Sequence, residues 1–177
     1  MARTAKLDLR AFQQELATRL ASKTAGEVES SRLGLSFGGR NWLIRLADAG
    51  EVLAVPPIAG VPLTQPWFLG ITNIRGNLYG VIDFAMYCGL PATAPTKGAA
   101  GQARLVVLGA RAGELRAGVV VSRVVGLRNV AELAPVAPVA DAPAWHGQRW
   151  MDADGVAWQE IDLARLAREP AFLQVGV

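Results

Sequence analysis

The sequence predicts a mainly β protein built from small barrels, and three observations carry that prediction. Apolar and polar residues alternate with the two-residue period of half-buried strands, as in Leu33, Leu35 and Phe37 against Gly34, Ser36 and Gly38. Turn signals return every ~8–12 residues, which divides the chain into about nine or ten short strands. The 177 residues are 51% apolar and 19% charged, enough to bury a core in one domain or two small subdomains.

The elements follow in order. Leu9, Phe12, Leu16 and Leu20 fall at helical spacing among Gln13, Gln14, Glu15 and Arg19. They predict an amphipathic helix over residues 7–21 that packs back onto the domain. Gly26 and the Ser30–Ser31 pair mark a linker, so residues 1–30 form a helical extension and 31–177 the domain. A hairpin turns at Gly38–Gly39, with Trp42, Ile44 and Leu46 on its second strand. A third strand over 51–55 stops at Pro56–Pro57. A second hairpin, 67–75 with 78–84, turns at Gly76–Asn77, and one helical turn closes at Gly89. The Pro-, Ala- and Gly-rich stretch 91–102 is the place where one barrel hands over to another.

Strands at 104–108 and 115–121 flank a turn at Gly113, and 124–128 continues after a bend. Residues 131–143 are too rich in Ala and Pro for a central strand. A last hairpin, 149–151 with 156–161, turns on Asp154–Gly155 as a type I′ turn. Asp162 caps a short C-terminal helix over 163–168, and Phe172, Leu173 and Val175 are apolar enough to dock.

Composition excludes several function classes. Net charge is +3 with an isoelectric point near 9.5, and Lys and Arg are scattered. A nucleic-acid-binding barrel would need basic and aromatic residues exposed on one sheet face, whereas Trp42, Trp67, Tyr79, Trp150 and Trp158 alternate inward. The mean hydropathy of +0.26 fits either exposed apolar surface for partners or tight cores rich in Ala and Val. Cys88 and His146 are the only residues of their types. They supply neither a metal cluster, a disulfide nor a nucleophile–base pair, so no catalytic residue, metal or cofactor is expected. Asp152 and Asp154 are turn residues, since the rest of a calcium loop is absent. No signal peptide and no apolar run long enough for a membrane helix is present, which makes the cytoplasm the expected location.

One stretch carries more information, residues 67–90, WFLGITNIRGNLYGVIDFAMYCGL. Arg75 ends a strand between Ile74 and Gly76, and Glu51 on the adjacent strand is its expected carboxylate partner, either holding two loops in register or forming a structural ion pair of little net worth. Asp83 interrupts an apolar run and is expected to face out or to cap the following turn.

Asn73-Ile-Arg-Gly76 and, after a spacer, Val81-Ile-Asp-Phe84 resemble the central signature of CheW-like coupling proteins. The segment 51–55 before its prolines, Pro66-Trp-Phe-Leu-Gly70, and the strand 117–124 resemble other parts of that family, so the likeness runs over about 32–161. Gly80 stands where the family usually has proline, and Ser122 where aspartate is common. The N-terminal extension, Trp145-His146-Gly147 and the last seven residues resemble the branch that serves type IV pili and twitching motility; the flagellar branch is the alternative.

The resemblance implies two small, interleaved five-stranded SH3-like barrels and no catalytic activity. It implies two partners: the regulatory domain of a CheA-type histidine kinase, and the cytoplasmic tip of a methyl-accepting chemotaxis receptor. It implies a protein without direct membrane insertion, recruited to receptor arrays. Carried over by motif position, Arg75 and Glu51 match a functionally important pair, and Gly70, Asn73, Gly76 and Asp83 lie at or beside partner contacts.

Overall fold

The computed structural model describes residue 26 and residues 29–93, 103–109 and 112–177. The helix expected over 7–21 lies outside the described residues. Gly26, Glu29 and Ser30 are helical and Ser31 opens the first strand, so the described part of the expected linker is regular structure.

Eleven strands form two sheets among the described residues. The strands are β1 (Ser31–Phe37), β2 (Arg40–Arg45), β3 (Ala49–Ala54), β4 (Phe68–Ile74), β5 (Asn77–Asp83), β6 (Arg104–Leu108), β7 (Ala117–Val121), β8 (Arg123–Asn129), β9 (Ala134–Val136), β10 (His146–Met151) and β11 (Ala157–Ile161). Besides the helical residues 26, 29 and 30, three one-turn helices accompany them among the described residues: α1 (Phe84–Tyr87), α2 (Leu163–Leu166) and α3 (Pro170–Leu173). The first sheet runs β8-β1-β2-β11-β10-β9 and the second β3-β6-β7-β5-β4.

The mainly β class and the two-sheet plan match the expectation, with one strand more than expected in the first sheet. The extra strand is β9, which carries Pro135 and is tolerated because it sits at an edge. The handover between sheets is not in 91–102: the elements before and after that stretch, β5 and β6, both belong to the second sheet. The chain crosses instead at the 3₁₀ turn Leu46–Asp48 and at the bend at Ser122. The second sheet is therefore inserted between β2 and β8 of the first, and the parallel pairs β2–β11 and β5–β7 complete the two sheets.

Alternation along the strands sorts the apolar residues into three cores. Leu43, Leu133 and Trp158 pack on the inner face of the first sheet, and Ile74, Val81, Leu105, Val107 and Val120 on that of the second. The intervening positions, including Trp42, Ile44, Ile82, Val106, Leu108, Val119 and Val121, meet in a larger core shared by both sheets. That is why β6 and β7 read as continuous apolar runs: both of their faces are buried. An aromatic chain threads the shared core. Phe37 stacks on Trp42 at 4.7 Å, Phe84 and Trp145 follow, and Tyr87, Trp67 and Phe172 bring in the C-terminal tail. Of the tail residues expected to dock, Phe172 is buried and Val175 half-buried, whereas Leu173 is 49% exposed.

Two turns differ from expectation. The second hairpin turns on Arg75–Gly76, with φ of 51° and 84°, one residue earlier than Gly76–Asn77. Ile74 pairs with Asn77 across this turn and packs in the second sheet's own core. In the last hairpin only Gly155 has positive φ, so Asp152–Gly155 is not a type I′ turn. Asp152 holds that turn instead, accepting from the amides of Asp154 and Val156 and from Trp158 Nε1.

Candidate partner-binding site

The Arg75–Gly76 turn stands at one end of the second sheet. Arg75 Nη2 donates to Glu51 Oε1 at 2.5 Å, with the Arg75 side chain 78% exposed. Glu51 lies on β3, which is not adjacent to β4 in the sheet: the two are its opposite edges. An ion pair between opposite edges requires the sheet to curl until they approach each other, as in a nearly closed barrel. The connector between β3 and β4 fills the gap. Ala59 pairs with Ile71, and Thr72 Oγ1 donates to Pro57 O at 2.8 Å. The pair thus marks the lip of a small barrel.

The other expected site residues separate into two groups. Asn73 and Gly76 are exposed beside Arg75, and Asn73 Oδ1 accepts from the Gly76 amide at 2.8 Å. Gly70 is buried, with φ of 133°. A Cβ there would stand 2.1 Å from Ala59 O, so glycine permits the connector to lie against β4. Asp83 does not face out: it is 3% exposed and caps α1 by accepting from Met86 N. It also accepts from the Thr93 amide and hydroxyl, tying down the chain after α1. Only the capping half of the expectation for Asp83 holds, because a carboxylate satisfied internally on both oxygens presents nothing to a partner.

The lip also has neighbours that motif reasoning missed. Leu78, directly across from Asn73, is 59% exposed, and Val52 beside Glu51 is exposed as well. Arg116 Nη1 donates to Asn77 Oδ1 at 2.9 Å and braces the far side of the turn. The signal for Leu78 was available, since it is a leucine immediately after a turn on a polar stretch.

Elsewhere, Cys88 and His146 line one surface cleft with Arg40, Tyr87 and Glu169. Burial pushes the Cys88 thiol up to about 12 and holds His146 below its ordinary range. A neutral thiol of that basicity is no nucleophile. Among the described residues no cluster of His, Cys, Asp and Glu could hold a metal ion, and no helix is long and apolar enough to cross a membrane.

Residues 33–171 match the model of the CheW-like domain. The chain belongs to the CheW-like domain family. The chain is similar to protein PilI of Pseudomonas aeruginosa, 26% identical over 169 residues that cover 93% of this chain and 90% of that one. Its fold is similar to that of the scaffolding protein TtCheW of Thermoanaerobacter tengcongensis, with a TM-score of 0.65 at 20% identity, over 83% of this chain and 97% of that one. The departure of this CheW-like chain at Gly80 has a structural consequence. The Gly80 amide donates to Arg116 O at 2.9 Å, a bond across the β5–β7 junction that the family's usual proline could not make. Ser122 falls at the bend where the chain returns to the first sheet.

Proposed function

We propose that this CheW-like protein is a non-catalytic coupling scaffold. It holds the regulatory domain of a CheA-type histidine kinase beside the cytoplasmic tip of a methyl-accepting chemoreceptor, in a chemosensory pathway that controls type IV pili and twitching motility. Residues 31–177 are the coupling domain. The protein works in the cytoplasm, at receptor arrays on the inner membrane. The observation that carries the reading is the exposed Arg75–Glu51 pair, at motif positions of the family and at the rim of a barrel flanked by exposed Leu78 and Val52. Exposed apolar side chains beside a charged pair suit a modest interface that docks and reorganises. Its effect is geometric, raising the local concentration of one partner at the other. The similarity to PilI supports the pilus pathway over the flagellar one.

The test is a pair of variants, Arg75→Ala and Glu51→Arg. The Arg75 side chain is mostly exposed, so either change costs at most about 1 kcal/mol of stability. Each is expected to weaken binding of the kinase regulatory domain or the receptor tip by about tenfold or more, measured by calorimetry, and to reduce twitching in cells. Unchanged affinity for both partners together with unchanged twitching would refute the assignment.

A further inference from the structure

The turn that carries Arg75 is a costly one. A two-residue hairpin turn with positive φ at both positions favours Asn-Gly or Gly-Gly, because a side chain in the left-handed region crowds its own backbone. Gly76 satisfies this at its position, but Arg75 holds φ of 51° with a long side chain. A strained residue persists only where its surroundings over-determine it. Two bonds do so here. Asn73 Oδ1 accepts from the Gly76 amide at 2.8 Å, closing the turn from the strand before it. Glu51 accepts from Arg75 across the mouth of the barrel.

We propose that Asn73 is a positioning residue. Its side-chain oxygen locks the left-handed Arg75–Gly76 turn, and that lock aims the Arg75 guanidinium at Glu51 and at the partner. Asn73, Arg75 and Gly76 are then one device in which only Arg75 touches the partner. Asn73 supplies the acceptor and Gly76 supplies the amide and the permitted backbone. The inference rests on the reading of Arg75 as a partner contact, and its test separates the two.

Three variants of the full chain decide it: Asn73→Leu, which removes the acceptor at similar volume; Asn73→Asp, which keeps it; and Arg75→Ala. Two measurements are made on each. Amide hydrogen exchange at Gly76 reports the turn without any partner. Affinity for the purified regulatory domain of the CheA-type kinase and for a receptor-tip fragment reports the function. Asn73→Leu is expected to speed Gly76 exchange severalfold and to weaken one partner's binding by about fivefold to tenfold, the worth of one hydrogen bond. Asn73→Asp is expected to keep both within about twofold of the parent. Unchanged Gly76 exchange in Asn73→Leu overturns the proposal. So does faster exchange with parental affinity while Arg75→Ala binds poorly. Loss of affinity in Asn73→Asp as large as in Asn73→Leu would make Asn73 a partner contact and likewise overturn it. If Arg75→Ala itself binds normally, the reading of the site fails, and the exchange data still decide whether Asn73 holds the turn.

Discussion

At the scale of single residues, burial decides what each polar group does. Glu160 is buried and accepts from Arg32 Nε at 2.9 Å and from Trp150 Nε1 at 3.2 Å, so its charge is spent inside the first sheet. Asp83 is spent in the same way. His146 is different: its Nδ1 is buried without a partner among the described residues. Desolvation, reinforced by the Arg40 guanidinium, holds its pKa below the ordinary value of 6.5. The folded state therefore binds a proton at His146 less readily than the unfolded chain. Stability from this group is present above about pH 6.5 and is lost as pH falls below that, through the depressed folded value. Tyr87, Cys88 and Glu169 line the same cleft. Of these, Tyr87 and Cys88 are pushed up to about 12 and stay neutral throughout that window. Asp152, held low chiefly by the Trp158 hydrogen bond, titrates below the window. The melting temperature is expected to fall between about pH 7 and pH 5 in the parent and to fall less in His146→Gln, read by thermal denaturation across that range. Equal slopes would mean that His146 is not the group responsible. The sequence marked His146 as structural or solvated, but could not place it on β10 beside Trp42, at a ring separation of 5.6 Å.

At the scale of elements, strand positions were legible because alternation and turn residues are local. Gly38–Gly39 both take positive φ, and β1 and β2 pair on either side of them as the pattern requires. The Arg75–Gly76 turn was misplaced by one residue because Gly-Asn is itself a good turn signal. Glu51 was paired correctly with Arg75 but by the wrong route, since β3 and β4 meet through curvature and not as neighbours. Gly70 makes that curvature possible. With φ of 133° and Ala59 O 2.1 Å from a virtual Cβ, Gly70→Ala must push the connector off β4. That would break the Ala59–Ile71 bridge. The expected cost is about 3 kcal/mol or more, combining a forbidden backbone region with a backbone clash, measured by urea denaturation. Partner affinity should fall in step, because the connector separates the edges that Arg75 and Glu51 join. A Gly70→Ala protein of parental stability would show that the connector has room to move.

At the scale of the whole molecule, the route of the chain was the least legible feature. The two barrels were expected to interleave, with a handover in 91–102. The sheets are nested, but the crossings lie at Leu46–Asp48 and Ser122, and the parallel pairings of β2 with β11 and β5 with β7 leave no local trace in the sequence. Nesting has an energetic consequence. The first sheet cannot be completed until the chain has traversed the second, since β8 to β11 follow it. The largest core is also common to both, with Leu33, Leu35, Trp42 and Ile44 from one side and Ile82, Val106, Val119 and Val121 from the other. Opening either sheet alone would expose that shared apolar surface at roughly 25 cal/mol per Å² while recovering only part of the chain entropy. The domain is therefore expected to unfold in one transition, despite its two-sheet layout. Tryptophan fluorescence, which samples Trp42 and Trp145 in the shared core, and far-ultraviolet circular dichroism should give coincident urea curves. The calorimetric and van't Hoff enthalpies should agree. Two separated transitions would mean that the seam is a weak contact between two sheets that fold independently. A single transition makes the shared core one cooperative unit that holds both sheets in a fixed arrangement.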